Sequence, residues 1–91
     1  MARLVELTKE DLYRLGFVNM RLNDYPAMKT AIVRAVAIHE RELGPEAPET
    51  GPVVGLLGTY HWLTGDFATA RDLMQRSLTI SEAAFGPDDI R

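Results

Sequence analysis

Two histidines, thirteen carboxylates and ten cationic side chains are the groups in this 91-residue chain that carry acid–base or ligating chemistry. His39 and His61 stand 22 residues apart, far from the i,i+4 histidine spacing that sets two imidazoles on one helix face around a metal. His39-Glu40-Arg41-Glu42 supplies ligand types, but consecutive helical residues point in different directions and do not converge on one ion. Glu10 with Arg14 and Asp72 with Arg76 have the acid-before-base spacing of exposed helix pairs, worth a few tenths of a kcal/mol each (about 0.2–0.5) rather than a reactive site. Gly44 and Gly86 each stand alone before a proline, so no glycine-rich loop cradles a phosphate. Cysteine is absent, which removes thiolate ligands and disulfides. The reading is of a chain with no catalytic residue, no metal and no cofactor.

Composition narrows the class further. The net charge of −3 is mild and both signs are spread along the chain, without the basic stripe that tracks a nucleic-acid backbone. No stretch reaches the roughly 18–20 apolar residues of a membrane span. The apolar run at residues 1–7 is short and interrupted by Glu6, unlike a secretory signal. A cytoplasmic protein that uses neither nucleic acid nor membrane is expected.

The elements that must position any site come in a repeat. Shifting the sequence by 42 residues puts Thr8 on Thr50, Leu15-Gly16 on Leu57-Gly58, Asp24-Tyr25 on Asp66-Phe67, Arg34 on Arg76 and Gly44-Pro45 on Gly86-Pro87. The matches fall on small, apolar and turn residues, which set the geometry of stacked helical units. Each copy reads as two helices. Thr8 caps the first, with Glu10 and Asp11 in its opening turn; the second runs from Pro26 to about Leu43, where Gly44 and Pro45 stop it. Thr50 caps the third, which runs to about Thr64, and Phe67 to Ala84 forms the fourth. No segment alternates with the period of a strand. Gly16 and Gly58 fall inside helices at the same place in each copy, which predicts that a paired helix comes too close there for a side chain.

This pattern resembles the tetratricopeptide repeat, and in its 42-residue period the form found in kinesin light chains. The signature of the second copy is Val54, Leu57, Gly58 and His61, continuing as Gly65, Phe67, Ala70, Met74 and Ser77-Leu78. The first copy holds Leu12, Leu15, Gly16, Asn19, Asn23, Tyr25, Met28, Ile32 and Ala35-Val36 at those positions. The resemblance implies an all-α fold of two helix-turn-helix hairpins stacked as a short right-handed α-solenoid. It gives one domain over 1–91, with repeats at about 8–49 and 50–91 and an N-terminal extension at 1–7.

The resemblance also implies a protein or peptide partner held on the concave face of the first helices. Carried over, the apolar members of that face are Tyr13, Phe17 and Met20 in the first copy, with Thr59 and Trp62 in the second. The clamp of lysine, asparagine and arginine by which some relatives grip a terminal carboxylate is missing. On this reading Leu12, Leu15 and Val18 form the core face of the first helix, with Leu57 their counterpart in the second copy, and Tyr13, Phe17 and Met20 form a second apolar face. Stacked repeats usually need about three units for stability. With two present, Leu73, Ile80 and Ala84 on the fourth helix are expected to be covered by a second copy in a two-fold dimer. The alternative is a self-associating structural unit, or a piece of a longer array.

Overall fold

The computed structural model describes residues 7–86, and within them every regular element is a helix. They are α1 (Lys9–Arg21), α2 (Tyr25–Leu43), α3 (Thr50–Leu63) and α4 (Phe67–Phe85). α1 packs on α2 and α3 on α4 as two hairpins, while α2 against α3 joins the hairpins and α1 touches α3 more lightly. This is the expected all-α helical repeat. The proposed extension at 1–7, apart from Leu7, and the Pro87 stop lie outside the described residues.

Local chemistry explains each boundary. At the start of α1 the Asp11 N–H donates to Thr8 Oγ1 and the Thr8 N–H donates to Asp11 Oδ2, both at 3.1 Å, a reciprocal capping box. Asp24 and Asp66 cap α2 and α4 by accepting from the Ala27 and Thr69 N–H groups. These repeated aspartates therefore begin the second helices rather than end the first ones. Gly44 closes α2 at φ 104° and ψ 152°, a conformation open essentially to glycine alone.

Thr50 departs from expectation. It is the first residue of α3, the N-cap position belongs to Glu49, and Glu49 makes no side-chain cap bond. The fully buried Thr50 hydroxyl instead donates to the Gly44 carbonyl at 2.9 Å, tying the start of α3 to the end of α2. The compact connector brings that carbonyl within reach, and a buried hydroxyl that found no acceptor would cost free energy.

The core is formed by Leu12, Met28, Ala31, Ile32, Ala35, Val36, Val53, Val54 and Leu56, all buried, with Tyr13, Met20, Leu57, Tyr60 and Leu73 packed on its edge. The faces of α1 differ from the expectation. Leu12 and Gly16 are buried and Tyr13 and Met20 pack against the core, whereas Leu15 and Val18 are 37% and 50% exposed. Gly16 decides the matter. A Cβ there would meet Ile32 Cγ1 at 2.6 Å and Leu56 Cδ2 at 3.1 Å, so α2 and α3 close on the glycine. Tyr13 and Met20, three residues before and four after it, lie on the same side of the helix and are drawn in with it.

Two substitutions test this assignment by urea denaturation. Gly16→Ala lowers stability by about 1–3 kcal/mol through overpacking, although alanine is the better helix former. Leu12→Ala costs about 2–5 kcal/mol, and Leu15→Ala clearly less. A rise in the midpoint for Gly16→Ala, or equal losses at Leu12 and Leu15, would show that α1 is oriented otherwise.

Candidate functional site

The side chains expected to form one lining are divided between two surfaces. On α1, Tyr13 and Phe17 are one turn apart and meet edge to face, with ring centroids 5.0 Å apart. Phe17 is 39% exposed, whereas Tyr13 and Met20 are half-buried against the core. Partial burial pushes the Tyr13 phenol above its ordinary range. Thr59, the repeat mate of Phe17, is half-buried and turns its hydroxyl back to the Gly55 carbonyl of its own helix at 3.2 Å. The Tyr13–Phe17 pair is therefore the aromatic part of this face.

Trp62 belongs elsewhere. It is 56% exposed and packs edge to face on Phe67, with centroids 5.7 Å apart, over a shallow groove lined by Arg71, Met74, Gln75 and Leu78 of α4. Glycines explain the geometry. Gly51, Gly55 and Gly58 lie against Ile80, Ser77 and Met74, so that side of α3 is pressed onto α4 and Trp62 follows it at the end of the helix. Spacings of four and three between small residues were the sequence signal for this face.

The three residues expected to mediate self-association fare differently from one another. Ile80 is 4% exposed, buried within its own chain against Gly51. Leu73 is partly buried against the core, and Ala84 is exposed. The open apolar side of α4 is instead Phe67, Met74 and Leu78. The reason is again the glycine side of α3, which takes up Ile80, Ser77 and Leu73 and touches Met74 at the edge of the contact.

Several ionisable groups make contacts that hold local structure. Buried His39 donates from Nδ1 to the Ala35 carbonyl at 2.7 Å, one turn earlier on its own helix. His61 Nδ1 lies 3.6 Å from Asp66 and its ring stands edge-on to Tyr60. Among the described residues no cluster of three ligand-type side chains can hold a metal. Arg76 pairs with Glu40 at 2.6 Å rather than with Asp72, and its guanidinium also donates to the Pro45 carbonyl at 3.1 Å. Arg14 pairs with Asp11 at 3.6 Å rather than with Glu10. Lys9 donates to Glu42 at 2.9 Å, fastening α1 to α2. That bond raises the Lys9 ammonium above its ordinary range and holds the Glu42 carboxyl below its own. No helix among the described residues is long and apolar enough to cross a membrane.

The family model for the tetratricopeptide repeat matches residues 10–89, nearly the whole chain. A comparison with curated proteins finds no match.

The aromatic pair on α1 stands two and six residues beyond Asp11, so the capping box anchors the helix that carries it. Hydrogen bonds from the Thr8 backbone, and then from its side chain, hold the Asp11 carboxyl below its ordinary 3.8. A depressed carboxyl contributes stability that is present above its unfolded-state pKa and is lost as pH falls through the folded value. Thermal melts of the chain and of Asp11→Ala should therefore differ by a constant gap at neutral pH. The gap should close between about pH 5 and about pH 2. A gap that persists at the acid end would mean that Asp11 acts through packing rather than charge.

Proposed function

Because the chain belongs to the tetratricopeptide repeat family, we propose that it is a protein-interaction module that binds a peptide or partner helix along the concave side of its first helices. Tetratricopeptide repeats generally mediate protein–protein interaction, and the chemistry of this face suits an apolar ligand. Phe17 is the exposed anchor and Tyr13 braces it. Met20 and Thr59 complete the lining, with Trp62 left to the α4 end. The observation that carries the reading is the Tyr13–Phe17 pair. Its outer ring is 39% exposed, and the pair lies beside the half-buried Met20 on α1, an apolar surface of the kind that marks an interaction site. The 42-residue period supports assignment to the kinesin-light-chain-like form, and the absence of cysteine suits a cytoplasmic setting. The family is an interaction scaffold rather than an enzymatic one, and on this reading the module acts by binding.

A peptide selected on the wild-type chain from a random display library provides the ligand for the test. Titration calorimetry should show that Phe17→Ala weakens its binding by at least about tenfold, about 1.4 kcal/mol, as expected of an aromatic anchor. Lys29→Ala, exposed on α2, should leave it unchanged. Selected peptides that bind equally well to Phe17→Ala would defeat the assignment of this face.

A further inference from the structure

α4 carries a heptad seam beside its contact with α3: Met74 lies against Gly58 and Phe67 against Trp62, and the apolar side chains of the seam stay partly exposed. Phe67, Arg71, Met74, Leu78, Ser81 and Phe85 follow at alternating spacings of four and three, the pattern that holds one helix along another. Phe67, Met74, Leu78 and Phe85 are 59%, 39%, 48% and 49% exposed. Arg76, half a turn round the helix from the seam, points to Glu40 and the connector instead. The chain also shows what such a surface does when it is covered. One repeat earlier the same positions hold Tyr25, Ile32 and Val36. Tyr25 packs on the core, while Ile32 and Val36 are buried in it, on the helix that receives α3.

Two surfaces of another copy are candidates to cover the seam. The first is α1, docking head to tail as α3 docks on α2. At the positions of buried Val53 and Leu56, α1 has Asp11 and Arg14, so this arrangement would desolvate a charged pair where the chain's own junction is apolar. Its one electrostatic gain would be Glu82 with Arg34, the repeat mates of Glu40 and Arg76, a surface pair worth little.

The second candidate is another α4, running antiparallel. Met74 and Leu78 lie two residues either side of Arg76, and Phe67 and Phe85 nine residues either side. A two-fold axis at that level sets each Met74 against the other copy's Leu78 and each Phe67 against its Phe85. Each Arg71, which lies 3.7 Å from Asp72 on its own exposed edge, meets Ser81 and the adjacent Glu82, a second opposite charge, and this happens twice by symmetry. A polar residue within an apolar seam fixes register.

We infer that this chain forms a two-fold homodimer through antiparallel pairing of α4 with α4 of a second copy, with Met74 and Leu78 facing across the axis. The seam is distinct from the Phe17 face, so the dimer stands or falls independently of peptide binding.

Sedimentation equilibrium of the full chain should give a concentration-dependent mass rising to twice 10.2 kDa. Met74→Glu and Leu78→Lys should each raise the dimer Kd at least about tenfold with helical circular dichroism unchanged. Mixing the two variants should restore the dimer, because one contact then pairs opposite charges and the other keeps its native Met–Leu pair. In a chain whose apolar seam is untouched, Arg71→Glu should weaken pairing and Arg71→Glu/Glu82→Arg should recover it. Failure of either rescue overturns the antiparallel register. A wild-type chain monomeric to roughly 1 mM overturns the dimer. Growth beyond two copies, abolished by Val18→Glu, assigns the seam to α1 and overturns the proposal equally.

Discussion

The close approach of helices at glycine positions is the constraint on which the rest of this structure depends. Gly16 admits Ile32 and Leu56, and Gly51, Gly55 and Gly58 admit α4 along the length of α3. Each missing side chain brings two backbones nearer, and the residues on the same side of the helix must follow. That is why Tyr13 and Met20 become half-buried and Ile80 fully buried, while Leu15 and Leu78 face outward. An isolated helical glycine weakens its own helix by about 1 kcal/mol. Here the loss is offset by packing that a larger residue would block.

The architecture was legible because it rests on short-range chemistry. Thr8 with Asp11 caps a helix wherever it occurs, Gly44-Pro45 stops one, and a 42-residue shift exposes the repeat without any knowledge of contacts. The assignment of faces was less legible. Leu15 and Val18 have the spacing and hydrophobicity of core residues, and periodicity alone does not distinguish a side that meets its own chain from a side that is left open. The small residues carried that information, because only they report how near the neighbour stands. Thr50 was misread for a related reason. Threonine before an apolar run has the sequence of a cap, but the short connector brings Gly44 close enough to claim the hydroxyl.

The two hairpins share a plan but not an environment. Ile32 and Val36 lie in the core while their mates Met74 and Leu78 are exposed, and Met20 is half-buried while Trp62 is open. Leu78 stands where Val36 does and Trp62 where Met20 does, while Phe67 and Ser81 replace the larger Tyr25 and His39. The outer side of α1 carries Asp11 and Arg14 among its leucines and is the more polar of the two ends.

One terminal nitrogen of Arg76 donates to both the Glu40 carboxylate and the Pro45 carbonyl, and so reaches two parts of the first hairpin from the second. A guanidinium nitrogen offers two hydrogens in a fixed plane, which makes this contact a protractor as well as a tie. The contact lies beside the α2–α3 junction and ties the second hairpin to the end of α2 and to the connector through one polar side chain, outside the apolar core.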